Sequence, residues 1–383
     1  MSVHNAEVGI SRQELRGRRL LLDEAAALAD RLLGWLRDQP GWIDGSAVGR
    51  LRRQHERFDA IELLVAAESP AAILDAFSSS PAVATVVRSS GARTTILTVD
   101  GARVTLHAVV PGRFADALQR LTGPDDLEGA PSALVTVEHI RGDLHSHTTA
   151  SDGRNTIEEM ARAAMARGYG YLAITEHTPA VNVIEPGIGL DVGRLREHVA
   201  AIREVAGRLA HDGFTLLAGT EVDILADGSL DYPDDVLAEL DWVVASPHVA
   251  LRQSAARATA RMVAAASHPL VDVIGHPTSR HLIERRPMAV DVAAMIAACA
   301  EHGTFLEINS NPERLDLSAE NARAAREAGV GIVIDADAHQ VATLANIQYG
   351  VTVARRAWAT PADIVNARPW IEVEAMRKRV RRG

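Results

Sequence analysis

Asp143-Leu144-His145-Ser146-His147, followed closely by Ser151-Asp152-Gly153, decides how the rest of the chain is read. It ends a short apolar run, Ala133–Val137 leading to Leu144. It precedes a stretch of helical periodicity, Ile157–Arg167, that stops at Gly168. The same unit then repeats. Apolar runs at Tyr171–Ile174, Thr215–Leu217, Trp242–Ala245, Val271–Ile274, Phe305–Ile308 and Ile332–Ile334 alternate with helical stretches. That rhythm is the signature of βα units around a parallel sheet. Seven such runs predict an α/β fold, a closed or nearly closed β/α barrel, with its chemistry in the loops at the C-terminal strand ends.

Those ends share a composition. The second run ends in Thr175-Glu176-His177 and the third in Gly219-Thr220-Glu221-Val222-Asp223. The fourth ends in Ser246-Pro247-His248, the fifth in Gly275-His276-Pro277, the sixth in Glu307-Ile308-Asn309, and the seventh in Asp335-Ala336-Asp337-Ala338-His339. A lone His-x-His or Asp-x-His is a weak signal, since each fits a surface or hydrogen-bonded histidine equally well. Seven such fragments in order, each at a predicted strand end, converge on one barrel mouth. Imidazoles and carboxylates crowded there are electrostatically poor without cations. Divalent ions resolve this, because they take neutral imidazole and ionised carboxylate, and a carboxylate can bridge two of them. The count suits two or three ions. His4, His55, His107, His198, His211, His268 and His302 fall outside the pattern and read as structural or surface residues.

The composition narrows the alternatives. A chain of 383 residues suggests two domains. Hydrophobic residues at 47% and charged residues at 23% are those of an ordinary globular protein. No apolar run approaches the roughly 18–20 residues of a membrane span. The N-terminal stretch has no apolar core of a secretory signal, so no membrane partner and a cytoplasmic location are expected. Cys299 is the only cysteine, which excludes a disulfide framework and a multi-cysteine metal site, and it reads as a buried core thiol. Lys378 is the only lysine, so Schiff-base chemistry has almost no candidate nucleophile. A net charge of −10 does not suggest a broad nucleic-acid surface.

The N-terminal part reads as α+β. A helix is predicted over 12–38, with Leu15, Leu20, Leu28, Leu32 and Leu36 among its apolar positions. Strands follow at Ala60–Ala67, Ala82–Arg88, Thr94–Val99 and Val104–Val110, with helices at Pro70–Phe77 and Arg113–Leu121. Gly123–Pro131, rich in Gly, Pro and acid, reads as a linker. The expected division is a small domain over 1–123, a linker over 124–137, and the barrel over 138–383.

At this point the residues resemble a family. Residues 138–370 resemble the PHP (polymerase and histidinol phosphatase) superfamily through RGDLHSHTTASDG, YLAITEH, GTEVDIL, ASPH, GHPTSR, EINSNPERLDL and DADAH. The likeness is nearest to the C-terminal domain of bacterial family X DNA polymerases. It implies a distorted, TIM-like (β/α)7 barrel and a phosphoesterase with a trinuclear site of zinc, manganese or iron. The implied ligands are His145, His147, Asp152, His177, Glu221, His248, His276, Asp337 and His339. One cluster would combine His145, His147, Glu221 and Asp337. A second would combine Asp152, His177 and His339, and a third Glu221, His248 and His276. Glu221 bridges, and with His177 it belongs to the catalytic centre. The ions would turn bound water into hydroxide at neutral pH and clamp the phosphoester. Arg280 is the candidate phosphate clamp, against the plainer reading of a rim salt bridge, while Arg314 reads as structural. Asp143 and Asp335 orient ligands. Two positions depart from the family: Glu176, where Asp usually precedes the histidine, and Ser279, where close relatives have Gly.

Residues 12–123 resemble the palm of the same polymerases around Gly49–Val65 and Val104–Val110. The family's Ser position holds Arg50, and its carboxylate positions hold Ala60, Glu62 and Thr105. Nucleotidyl transfer needs carboxylates to hold two magnesium ions, so polymerase activity is expected to be lost. The expected substrate is a DNA 3′ end in repair, cut as a 3′–5′ exonuclease or processing enzyme. The alternatives are a small phosphate ester, as in a histidinol or nucleotide phosphatase, or a non-catalytic interaction module. Oligomeric state is left open.

Overall fold

The computed structural model describes residues 17–124 and 126–378. Leu15 and the first part of the predicted 12–38 helix lie outside them. The chain divides into two compact units, one ending at Glu128 and one beginning at Gly129.

The first unit is built on a five-stranded sheet in the order Trp42–Val48, Ile61–Ala67, Arg103–Val109, Arg93–Thr98, Val83–Ser90. Ile61–Ala67 and Arg103–Val109 run parallel, and the other neighbours are antiparallel. Leu64 faces helix Phe114–Thr122 and packs with Val48, Val109, Phe114, Leu118 and Leu121. The long helix spans Leu22–Arg37 rather than starting at 12. Leu20 and Leu21 instead pair with Phe58 and Arg57 as a short ribbon, and Glu24 Oε2 accepts the Leu21 N–H at 2.9 Å, starting the helix there. Strand Trp42–Val48 has no counterpart among the predicted elements. Asp44-Gly45 interrupts its apolar pattern, and it is an edge strand with a register shift between Trp42 and Asp44.

The second unit is a barrel of seven parallel strands in sequential order. They are β1 (Gly142–Asp143), β2 (Tyr171–His177), β3 (Thr215–Asp223), β4 (Trp242–Ser246), β5 (Val273–Ile274), β6 (Phe305–Asn309) and β7 (Ile332–Asp335). A parallel bridge between Ser146 and Ala338 brings the first and last strands together, so the barrel is nearly closed. The predicted first strand is corrected: Ala133–Val137 forms no strand. Val137–His139 is a 3-10 turn in which the His139 ring Nδ1 lies 3.0 Å from the Thr136 N, and only Gly142–Asp143 joins the sheet.

Alternation along the strands builds two layers. Leu172, Ile174, Leu216, Ala218, Val243, Ala245, Leu306, Ile308, Ile332 and Ile334 pack against helix residues such as Met160, Leu195, Ile202, Met262 and Ile296. The intervening residues Tyr171, Ala173, Leu217, Trp242, Val244, Val273, Phe305 and Val333 form a separate cluster with Val365 and Val373. Full burial of each large side chain is worth about 2 kcal/mol. Helix Trp370–Met376 closes this end. The Trp370 ring lies 5.8 Å from Tyr171 and 6.3 Å from Trp242, and Arg377 grips Asp272 at 2.9 and 3.1 Å. Cys299 lies in the core, where burial pushes its thiol up to about 12. Among the described residues no helix is long and apolar enough to cross a membrane.

Candidate metal centre

The strand faces that are apolar at one end carry donors at the other. Thr175, His177, Glu221, Asp223, Glu307 and Asp335 continue the inward series toward the C-terminal strand ends, and all are buried. The first and last strands are braced by carboxylates. Asp143 accepts the His145 N–H at 3.1 Å and the Ala336 N–H at 3.0 Å, while Asp335 accepts the Leu144 N–H at 2.8 Å. Burial raises both acids, Asp143 to about 7 and Asp335 well above its ordinary value, so this pair readily holds a proton.

All nine expected ligands meet in the mouth. Glu221 is the hub. Its oxygens lie 3.4 Å from His145, 3.6 Å from His147, 2.8 Å from His177, 3.3 Å from His248 and 2.8 Å from His276. Asp337 lies 3.6 Å from His145 and 3.2 Å from His147. Asp152 lies 3.4 Å from His177 and 3.1 Å from His339. Three groups have ligand atoms mutually within 4.8 Å: His147, Asp152, His177 and His339; His145, His147 and Asp337; and His177, Glu221 and His248. Compared with the expected partition, His147 also joins the Asp152 group, His177 stands in place of His276 beside Glu221 and His248, and Glu221 falls outside the group of His145, His147 and Asp337.

The donor atoms fit metal ions. His145 Nε2, both nitrogens of His147, His177 Nδ1, His276 Nδ1, Glu221 Oε2 and Asp337 Oδ1 are buried without a hydrogen-bond partner. Each such orphan costs about 1–3 kcal/mol unless something meets it. Charge tells the same story. Burial works against the ionised forms, yet Glu221 and Asp337 are held well below the carboxylate range by the surrounding histidines. Burial likewise opposes charge on His145 and His177, but neighbouring carboxylates hold both well above the ordinary histidine value, and His248 and His339 rise to about 9. His276 falls to about 3, through burial and the nearby Arg314. Without cations, ring protons balance the carboxylates; divalent ions take that place and leave the rings neutral.

A second ring of residues sets the orientation of the rings. Glu307 Oε1 lies 2.7 Å from His145 Nδ1, so Nε2 faces Glu221 and Asp337. Glu307 also accepts the backbone N–H of His276. Asp223 lies 3.2 Å from His248 Nδ1. The His339 Nδ1 lies 2.9 Å from the Asp337 carbonyl, directing Nε2 at Asp152. His276 and Asp337 adopt φ of 24° and 50°, strained for non-glycine residues, as is common where function holds the backbone.

Glu176 shows what its departure from the family achieves. Its carboxylate accepts from the Thr148 N–H at 3.1 Å, the Thr148 hydroxyl at 2.5 Å and the Ser151 hydroxyl, and lies 3.1 Å from His198 Nε2. It thereby fastens the loop that carries Asp152. His198, placed outside the pattern on sequence grounds, stands on helix Val192–Leu209 between core positions Leu195, Val199 and Ile202. That helical spacing was the available signal for its inward direction. Two arginines stand beside this centre. Arg280 Nε donates to the Arg314 carbonyl at 2.8 Å and its Nη2 donates to the Leu315 carbonyl, so this guanidinium braces a loop. Arg314 has its Nε 4.0 Å from Asp337 Oδ2, and its buried Nη1 has no hydrogen-bond partner.

Comparison with known proteins places this geometry. The model of the PHP domain matches residues 143–311. The DNA polymerase/3'-5' exonuclease PolX of Bacillus subtilis is 41% identical over 246 residues, which are 64% of this chain and 42% of that protein. The chain therefore spans less than half the length of that relative. A "probable phosphatase" of Thermoanaerobacter sp. strain X514 is 30% identical over 238 residues, covering 58% of this chain and 89% of the relative. Another, from Edwardsiella ictaluri, is 30% identical over 250 residues, covering 62% and 95%.

Proposed function

We propose a function from the premise that this chain belongs to the PHP family: it is a metal-dependent phosphoesterase that acts on the 3′ ends of nucleic acid strands. The observation that carries the hydrolase reading is the meeting of nine ligand-type side chains, six of which (His145, His147, His177, Glu221, His276 and Asp337) have a buried donor atom without a hydrogen-bond partner. The polymerase-associated relative supports the nucleic-acid substrate. The phosphatase-named relatives, matched over most of their length, support a second reading, hydrolysis of a small phosphate monoester.

His145, His147, Asp152, His177, Glu221, His248, His276, Asp337 and His339 are the residues that would hold the divalent ions. Bound divalent ions supply Lewis acidity and an activated water at neutral pH. The protein's own work is positional. Glu307, Asp223 and the Asp337 carbonyl face the Nδ1 atoms of His145, His248 and His339, which fixes each ring so that Nε2 points into the site. Glu176 holds the Asp152 loop. Arg314, beside Asp337, receives the negative charge of the phosphoester, and Arg280 keeps the Arg314 backbone in place.

In the first unit, Glu62 is directly opposite Thr105 on the neighbouring parallel strand, and the Thr105 hydroxyl is 2.9 Å from that of Thr95. Asp59 points outward, with its side chain 85% exposed and paired to Arg19. One carboxylate at the palm-like position supports loss of nucleotidyl transfer. The test is a substrate panel on manganese- or zinc-loaded protein: single-stranded oligonucleotides, nucleotides, and sugar or amino-alcohol phosphates. Release of nucleotides from 3′ ends, lost in His147→Ala, is expected. Turnover of monoesters alone transfers the assignment to the second reading, and equal rates for both proteins defeat the enzyme reading.

A further inference from the structure

The loops after β5 and β6 form one platform beside the metal ligands. Leu282 N donates to the Glu313 carbonyl at 2.7 Å, and His281 Nε2 lies 3.1 Å from the Glu313 carboxylate. The Thr278 hydroxyl donates to Asp316 at 2.8 Å, and Arg280 ties in through the carbonyls of Arg314 and Leu315. Two further guanidinium groups belong to this platform, and neither has a close carboxylate to itself. Arg314 is 4.0 Å from Asp337, a carboxylate already shared with the histidines. Arg285 is exposed and is held by Ser279: its Nε and Nη2 donate to the Ser279 carbonyl at 3.2 and 3.0 Å, and its Nη2 lies 3.1 Å from the Ser279 hydroxyl.

Ser279 is itself fixed to the centre, because its N–H donates to the His276 carbonyl at 2.8 Å. It adopts φ of 46°, a conformation glycine takes freely and serine does not. A hydroxyl-bearing side chain is therefore kept where the backbone disfavours one, and that hydroxyl contacts Arg285. Partial burial of the guanidinium and the nearby Arg314 charge both lower the Arg285 pKa. Glu284 offsets this only at longer range, and Glu313 is engaged by His281. Two like charges held on one braced platform, next to a site for a phosphoester, call for a polyanion.

We propose that Arg285, held by Ser279 and adjoining Arg314, forms a second phosphate subsite that takes the phosphate next to the bond being cut, so that the preferred substrate is a phosphodiester chain. This rests on the nucleic-acid reading above and adds the residue that would hold the strand beyond the phosphate being cut. Arg314 faces the reacting phosphate, and Arg285 faces its neighbour. A monoester has no second phosphate to offer and gains nothing from Arg285.

The test compares full-length, metal-loaded protein with Arg285→Gln and Ser279→Gly on oligothymidylate and on p-nitrophenyl thymidine 5′-phosphate, which carries a single phosphate. For Arg285→Gln, kcat/KM on the oligomer is expected to fall about tenfold more than on the single-phosphate ester, mainly through KM, and the salt slope on the oligomer to become shallower by about one phosphate contact. Anisotropy with a phosphorothioate oligothymidylate should show weaker binding by a similar factor, and Ser279→Gly should lie between. An equal fall on both substrates, or oligomer binding unchanged in Arg285→Gln, overturns the subsite and leaves the phosphoesterase reading intact. Failure of the wild-type protein to hydrolyse any phosphoester strikes that reading instead, while the anisotropy comparison still decides the subsite.

Discussion

The sheet of the first unit and the barrel of the second differ in how densely they gather unpaired polar atoms: His107 Nε2 is one such atom in the sheet, whereas six of the nine ligand-type side chains at the barrel mouth have one. In the first, the palm-like positions hold Ala60, Glu62 and Thr105, and the two adjacent threonines 95 and 105 satisfy each other. In the barrel, all nine expected positions hold a ligand-type side chain, and His145 Nε2, both His147 nitrogens and Asp337 Oδ1 are among the atoms left without a partner. The mouth concentrates unpaired donors on one set of strand ends, and a second ring of residues fixes their orientation.

The sharpest way to break this contrast is at the hub. Glu221→Gln removes charge from a side chain within 3.6 Å of five histidines, so turnover should fall more than about 100-fold, beyond what outer partners carry. Metal content measured on the purified protein should fall with it; full metal content with wild-type turnover would falsify the hub role. One step outward, Glu307→Gln leaves His145 Nδ1 facing an amide, and metal affinity should weaken about 10- to 100-fold, read by competition with a chelating dye. Glu176→Asp shortens the arm that reaches Thr148 and Ser151. A decline of about tenfold in affinity for one ion, with the others retained, is the expected titration result.

A pH series sharpens the same point. In metal-stripped protein, His248 and His339 have folded values of about 9, above the ordinary 6.5. Their contribution to stability is therefore complete below pH 6.5 and is lost as pH rises through about 9. Melting temperature of the stripped protein should fall across that window. Loaded protein should move the other way, because metal binding requires the rings to be neutral. Matching pH profiles for the two forms would count against metals at these rings. The smallest effect is expected in the first unit, where Glu62→Ala should leave phosphoester turnover unchanged within error.

Much of this was legible in the residues because the barrel's pattern is local. Each strand end writes its donors within a few residues of an apolar run, so alternation alone places His177 and Glu221 inward, whereas Asp337 lies past the end of β7. What was hidden depends on contacts far apart in sequence. The first barrel strand looked longer because Ala133–Val137 is apolar, whereas Val135 packs in the outer core, Val137 is exposed, and the run makes no sheet pairing. Strand Trp42–Val48 was masked by Asp44-Gly45 at an edge. His198 and Glu176 meet only once a helix docks on a strand end. The bonds of Arg280 to the carbonyls of Arg314 and Leu315 were hidden because backbone acceptors leave no mark in the sequence.

Helix Trp370–Met376 has one more consequence. The indole of Trp370 sits against Tyr171 and Trp242, and both of those strands end in site residues or lead directly to them, His177 on β2 and His248 just past β4. The barrel is thus corked from below by a segment remote in sequence from the donors above. Shortening the chain ahead of Trp370 would wet the underside of the strands that hold the histidines, so damage at the tail should register first as slackness among the ligands.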